Sequence, residues 1–141
     1  MSLDNIFGIA GSALNAQTTR MNATASNLAN AGSVSGSEKD AFRGKRAVFK
    51  TILEGQLGAQ PSPNKGGVRI ENLIDDPAPV ARMSDPGNPA ADKEGYVYLS
   101  NVNEMTEMVE MMAAARSYQN NVEVINTARQ LMMRTLDIIK S

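Results

Sequence analysis

The sequence predicts a mainly α-helical fold, in which two long terminal helices pack as a coiled-coil-like pair beside a small β-containing, Gly/Pro-rich middle segment. Two observations predict this fold: the distribution of helix-breaking residues and the spacing of apolar residues. All six prolines and nine of the eleven glycines lie between residues 31 and 99, and residues 100–141 contain neither type. Because Gly and Pro interrupt helices, we expect helical arms at 1–30 and 100–141, packed together as one core domain, and a β or irregular segment at 31–99.

The N-terminal arm has a weak amphipathic pattern built largely from small residues. Asp4 and Arg20 are its only charged residues. A helix with so few charged residues is not expected to be stable when all its faces are exposed to water, so we expect other helices to surround it. Steps of three and four residues connect Leu3, Ile6, Ala10, Ala13, Gln17, Met21, Thr24 and Leu28.

Three short runs in the middle segment predict strands at 47–53, 68–74 and 96–99. Stretches containing Pro or Gly separate them as turns or loops. A basic cluster precedes and enters the first run, with acidic residues on both sides. We interpret this cluster as a solvated surface, with a partner-facing patch as the alternative. Its members are Lys39, Arg43, Lys45, Arg46 and Lys50.

The C-terminal arm carries the strongest pattern in the chain. Steps of three and four residues connect ten positions, of which nine are apolar, and this predicts a heptad seam. Ser100, Asn101 and Asn103 are candidate caps for the start of this helix. The ten positions are Met108, Met111, Ala115, Tyr118, Val122, Ile125, Arg129, Met132, Leu136 and Ile139.

Composition excludes several function classes. The chain has no Cys and no His, which excludes disulfides, thiolate catalysis, Cys/His zinc sites and imidazole chemistry. A net charge of −1 gives no basis for binding nucleic acid. The longest apolar run, 111–115, is far shorter than the ~20 residues that a membrane-spanning helix needs. The N-terminus lacks the basic region of a cleaved secretory signal.

Two residue patterns match known functional sites only weakly, and both are better explained as loops or turns. Ser62 and Lys65 match the Ser-x-x-Lys spacing of serine acyltransferases, but the prolines and glycines around them predict a loop instead of the required helix. Asp75, Asp76 and the acidic turn at 85–92 lack the spacing of a calcium loop. We therefore expect no enzyme, no cofactor and no metal site.

Methionine and asparagine are the notable residue types of the arms. Nine methionines, most of them in the C-terminal arm, are typical of adaptable helix packing, with a peptide-binding groove as the alternative. Asn amides can bridge helices without the desolvation cost of a buried charge. We predict such bridges to neighbouring helices or backbone at Asn27, Asn30 and Asn121 in an assembly.

Three segments resemble one protein family. Residues 11–30, which end in Ala-Ser-Asn-Leu-Ala-Asn, are similar to the N-terminal motif of the axial proteins of the bacterial flagellum. Residues 101–111 and 115–122 are similar to the C-terminal motif of the same family. The segment 85–97, Asp-Pro-Gly-Asn-Pro-Ala-Ala-Asp-Lys-Glu-Gly-Tyr-Val, resembles the short proximal-rod members.

This resemblance implies a structural subunit that polymerises into the helical rod of the basal body and carries torque from the membrane ring to the distal rod and hook. The implied partners are further copies, the other proximal-rod subunits, the distal rod, the rod–ring adaptor, the membrane ring and the flagellar export apparatus. The implied location is the periplasmic part of the basal body, reached without a cleaved signal.

The two arms supply the expected subunit interface. A soluble Met-rich helical adaptor or export chaperone that binds partner helices is the alternative function. The expected interface residues are Ile6, Ala10, Ala13, Met21, Asn27, Leu28, Asn30, Met108, Met111, Ala115, Tyr118, Asn121, Val122, Ile125, Met132, Leu136 and Ile139.

Overall fold

A computed structural model describes residues 3–52 and 66–140. Along the sequence, a helix precedes and a helix follows a β-containing middle segment, as the sequence predicts. The elements are α1 (Leu3–Asn30), β1 (Val34–Ser35), β2 (Lys45–Thr51), β3 (Val68–Asp75), β4 (Arg82–Ser84), β5 (Tyr96–Leu99) and α2 (Glu104–Lys140). The Ser62 and Lys65 pair, the end of the predicted strand at 47–53 and the side chain of Ile139 lie outside the described residues.

The start of α2 is fixed by one of the three candidate caps. The Oδ1 atom of Asn103 accepts a hydrogen bond from the backbone N–H of Thr106 at 3.0 Å. The carbonyl of Asn103 accepts the first helical bond, from the N–H of Glu107, also at 3.0 Å. Asn103 therefore satisfies an otherwise unpaired donor of the first turn and sets where the helix begins.

The strands form two small sheets. Strands β1, β5 and β4 make an antiparallel sheet in that order, with Val34 opposite Leu99 and Met83 opposite Val97. Val97, on the central strand, is fully buried. Strands β2 and β3 make a separate two-stranded sheet. The sequence predicts β2, β3 and β5, but not β1 and β4.

The described residues fall into two compact units. The first unit contains residues 3–19, 48–52, 66–72 and 113–140, and the second contains residues 20–47 and 73–112. Each helix therefore contributes to both units. No helix in the described part of the chain is long and apolar enough to cross a membrane.

The buried positions of the helices are mostly small residues. In the first unit they include Ala10, Ala16, Ala114 and Ala128, and in the second they include Ala23, Thr24, Asn27 and Glu107. Small side chains bring packed helices close together.

The buried face of α2 differs from the predicted seam at three of its positions. Glu107, Ala114 and Ala128 are buried, one residue before the predicted positions 108, 115 and 129. Met108, which was expected in the seam, is 49% exposed. The physical reason is that close packing selects the short alanine side chains, while Glu107 is buried because it has charged and polar partners, described below. Met111, Tyr118, Ile125 and Met132, which fit both seams, are half-buried.

Candidate assembly site

A polar junction lies in the second unit, where the end of α1, the start of α2 and strand β2 meet. Glu107 is fully buried there. Its Oε2 atom accepts a hydrogen bond from Nδ2 of Asn27 at 2.9 Å, and its Oε1 atom accepts one from Nη1 of Arg46 at 2.6 Å. We call Asn27, Arg46, Asp76, Asn101 and Glu107 the polar junction.

Asn27 fastens the beginning of β2 to α1. Its Oδ1 atom accepts a hydrogen bond from the N–H of Lys45 at 2.7 Å, and its Nδ2 atom also donates to the carbonyl of Lys45 at 3.0 Å. The amide thus pairs with both backbone groups of one residue, as a neighbouring strand would. An apolar side chain at this fully buried position would leave those groups without partners.

Asn101 performs a similar role just before α2. Its Oδ1 atom accepts a hydrogen bond from the N–H of Gly44 at 2.8 Å. Its Nδ2 atom donates to the carbonyls of Asp76 at 3.1 Å and Ala78 at 2.9 Å. The segments that precede β2 and follow β3 are therefore both tied to the residues that lead into α2.

The charges of the junction support one another. Partial burial by itself would lower the pKa of Arg46, but the carboxylates of Glu107 and Asp76 outweigh it and raise that pKa above its usual value. The N–H of Ala78 lowers the pKa of Asp76, with a further contribution from Arg46 and Arg43. Arg46 and Asp76 therefore both remain charged near neutral pH.

An ion pair also links the two helices within the second unit. Arg20 of α1 binds Glu110 of α2 through its Nη2 atom. Together with the bond between Asn27 and Glu107, this contact shows that the helices run antiparallel here, because rising numbers in α1 meet falling numbers in α2.

Most of the basic cluster is neutralised within the chain. Lys45 pairs with Asp75, Arg43 with Glu38 at 3.5 Å, and Lys50 with Glu71 at 2.6 Å. Arg46 belongs to the polar junction. Among the described residues only Lys39 of the cluster has no ion-pair partner. These ion pairs support the interpretation of the basic cluster as a solvated surface and not as a patch that faces a partner.

The acidic turn at 85–92 is held by its own hydrogen bonds. Asn88 donates to Asp85 at 3.1 Å, and Oδ1 of Asp92 accepts from the N–H groups of Glu94 and Tyr96 at 2.9 Å. The described residues contain no group of three or more metal-ligating side chains.

The expected interface residues differ in exposure. Asn30 and Asn121 donate only to carbonyls of their own helices, Ser26 at 2.8 Å and Ser117 at 2.8 Å, so their bridging in an assembly stays a prediction. Ala10 and Asn27 are buried within the chain, and Met108 and Leu136 are exposed. The half-buried residues are Ile6, Ala13, Met21, Leu28, Asn30, Met111, Ala115, Tyr118, Asn121, Val122, Ile125 and Met132.

Sequence reasoning missed the structural role of Glu107 and Arg46. Glu107 has the spacing of a buried helix position, four residues before Met111, and a charged residue at such a position was the available signal. Arg46 gave no signal beyond membership of the basic cluster, because its carboxylate partners, Asp76 and Glu107, lie 30 and 61 residues away.

In the part of the chain that the structure describes, helix α2 also leaves several apolar side chains largely exposed. In the second unit these form the Met ridge, defined as Met105, Met108, Val109 and Met112. In the first unit a cavity of about 370 Å³ forms the apolar groove, lined by Ile6, Asn120, Glu123, Val124, Thr127, Ala128 and Leu131. Exposed apolar surfaces of this kind mark interaction sites.

Comparisons with known proteins match both ends of the chain to family models. Residues 7–36 match the family model of the flagella basal body rod protein, and residues 93–138 match that of the flagellar basal body rod FlgEFG protein C-terminal region. The flagellar basal-body rod protein FlgC of Yersinia enterocolitica is 52% identical over 138 residues, which cover 98% of both chains. Those of Escherichia coli O157:H7 and Salmonella typhimurium are 49% and 48% identical, with the same coverage. These matches confirm the resemblance seen in the sequence, and the chain belongs to the FlgC family of flagellar basal-body rod proteins.

Proposed function

We propose that this protein is a structural subunit of the proximal rod of the bacterial flagellar basal body. The observation that carries the proposal is the 52% identity to a FlgC rod protein along nearly the whole of both chains. Similarity over that length includes both helices and the middle segment, so it is not limited to one shared motif.

We infer that copies polymerise into a helical tube that transmits torque from the membrane ring to the distal rod and hook. Contacts between different surfaces, whose rotation does not close, generate such a tube. The exposed apolar residues of α2 support this inference, because a chain that remained alone would leave them in water. The proposed interface comprises all the residues expected from the sequence, including Ala10, Asn27 and Ile139.

We propose that, within each copy, the two arms, 1–30 and 100–141, form one coiled-coil-like core domain. The antiparallel contacts of Arg20 with Glu110 and of Asn27 with Glu107 support that pairing in the second unit. Residues 31–99 would then form a separate middle segment. The polar junction attaches the middle segment to the helices, so that mechanical force on the helices is transmitted to the middle segment.

The proposed partners are the other proximal-rod subunits, the distal rod, the rod–ring adaptor and the membrane ring. The proposed route to the periplasmic part of the basal body is the flagellar export apparatus, without a cleaved signal. A helical adaptor or export chaperone remains the second candidate, because the Met ridge has the i, i+3, i+7 spacing of helices that bind partner grooves.

Complementation of a deletion strain tests the proposal. We expect the gene for this chain to restore swimming and complete basal bodies, and a Val122→Asp variant to be synthesised but fail to restore either. An aspartate at this half-buried position would be left without a partner when a neighbouring copy covers it. An exposed substitution on the same helix, Gln130→Glu, is the control and should restore swimming. Basal bodies that are complete without this chain would support the adaptor instead.

A further inference from the structure

The Met ridge places three thioether groups on one face of α2. Met105, Met108 and Met112 occupy positions i, i+3 and i+7, which a helical repeat of 3.6 residues brings within about 60° of one another. Val109 lies on the same face, so no charged side chain interrupts it between residues 105 and 112. Glu107 is turned by about 160° from Met105 and binds within the polar junction. The ridge is therefore the side of α2 that faces away from the junction.

The side chains of the ridge are open to reagents dissolved in water. Met105 and Met112 are 72% and 64% exposed, and Met108 is 49% exposed. Met21 and Met111, the other methionines of the helices in this unit, are half-buried. Access to the ridge does not require the helix to be formed, because an unfolded segment exposes these side chains at least as fully.

The chain offers oxidants few other targets. It contains no Cys, no His and no Trp. In the absence of those residue types, the thioethers of its nine methionines are the side chains that a two-electron oxidant such as hydrogen peroxide attacks most readily. Because three of the nine lie on the ridge, oxidation changes this one surface at several points.

Oxidation of a ridge methionine is a complete two-electron step. A lone pair of the sulfur attacks one oxygen of hydrogen peroxide, the O–O bond breaks, and that oxygen becomes bonded to the sulfur. Its proton passes to the departing hydroxide, which leaves as water. The sulfur is thus oxidised to the sulfoxide and the peroxide is reduced. Methionine sulfoxide reductases reverse the change with two thiols, which form a disulfide while the oxygen leaves as water.

The product is suited to water and not to an apolar contact. A sulfoxide converts a flexible apolar side chain into a polar one with a hydrogen-bond acceptor. In the proposed rod, neighbouring copies cover the exposed apolar residues of α2. A sulfoxide there would hold its oxygen in an apolar contact without a donor, and this opposes association.

We propose that the Met ridge is an oxidation site of the unassembled chain, and that methionine sulfoxide at residues 105, 108 and 112 prevents the chain from joining the rod. The inference rests on the proposed rod function, because it takes the ridge to be covered by a neighbouring copy. In the assembled rod, the same covering protects the three sulfur atoms. Assembly therefore selects chains that are not oxidised.

Complementation of the deletion strain under oxidative stress tests the proposal. Synthesis of the chain is induced with and without dilute hydrogen peroxide, and complete basal bodies are counted by electron microscopy. Each strain is compared with itself without peroxide, so that damage to other flagellar components is common to all strains. The comparison variant is Met105→Leu, Met108→Leu, Met112→Leu, which has no sulfur on the ridge. We expect the loss for the wild-type chain to exceed that for the variant by at least about tenfold, since one buried acceptor without a donor already weakens binding by about that factor.

Glutamine at the same three positions imitates the sulfoxide without an oxidant, because its amide is uncharged and has a carbonyl acceptor. We expect the triple glutamine variant to be synthesised but to form few complete basal bodies. Met83→Gln is the matched control, because it places the same polar group at an exposed methionine of β4 that lies outside the ridge. This control should restore swimming.

Mass spectrometry of the unassembled chain from the treated cells locates the sulfoxides. Their absence from residues 105, 108 and 112 would overturn the proposal, and so would equal losses for the wild-type chain and the triple leucine variant. A triple glutamine variant that assembles normally would overturn it as well. In each of these cases the untreated wild-type chain still complements the strain. Failure of that untreated strain would instead contradict the proposed rod function, so the two failures are distinguishable.

Discussion

Replacement of Arg46 by methionine is expected to lower the free energy of unfolding by about 3 kcal/mol. Glu107 is fully buried, and Arg46 is the cation that balances its charge, with Nη1 at 2.6 Å from Oε1. Removal of one partner of a buried pair typically costs about 3–5 kcal/mol, because the remaining charge is left in a medium that solvates it poorly. We expect the lower end of this range, since the Arg46 side chain is 39% exposed and water can reach the vacated position.

Urea unfolding of three variants isolates this effect. Lys50→Met breaks a pair whose members are 46% and 42% exposed, and it should cost less than about 1 kcal/mol. The double variant Arg46→Met with Glu107→Leu leaves no buried charge and should recover most of the lost stability. If Arg46→Met were no more damaging than Lys50→Met, the polar junction would not be an important source of stability.

Ala114→Asp should destabilise the protein by at least about 3 kcal/mol and abolish swimming. Ala114 is fully buried in the first unit, so the larger side chain has no space and its charge has no partner. Ala113→Asp places the same charge on the exposed neighbour and should cost less than about 1 kcal/mol, chiefly from the lower helix propensity of Asp.

The addition of Ala115→Asp to this pair distinguishes the observed seam of α2 from the predicted one. Ala115, not Ala114, belongs to the apolar pattern of the sequence, and Ala115 is only half-buried in the structure. Thermal unfolding of Ala113→Asp, Ala114→Asp and Ala115→Asp should therefore give the largest loss at position 114. A larger loss at position 115 would contradict the observed packing of α2.

The helices were predictable because their signals are local. The absence of Gly and Pro after residue 99 and the cap at Asn103 are both properties of neighbouring residues. Strands β3 and β5 were predictable for the same reason. Strands β1 and β4 have only two and three residues, too few to form a pattern, and they exist because β5 pairs with both.

The exact face of α2 was not predictable from apolar spacing. Hydrophobicity alone predicts that Met108 is buried and Glu107 exposed. Burial also depends on whether a polar side chain has hydrogen-bonding or charged partners. The partners of Glu107 are Asn27 and Arg46, which are 80 and 61 residues away in the chain. Similarly, the partners of the basic cluster include Asp75 and Asp76, 30 residues beyond it, so the sequence left its role open.

Electron cryo-microscopy of basal bodies tests most directly whether this protein is a proximal-rod subunit. The basal bodies would be purified from a deletion strain that is complemented with this chain. We predict density for helices of 28 and 37 residues, in repeated copies, in the wall of the rod next to the membrane ring. A complete rod in which no subunit has side-chain density that fits this sequence would contradict the assignment.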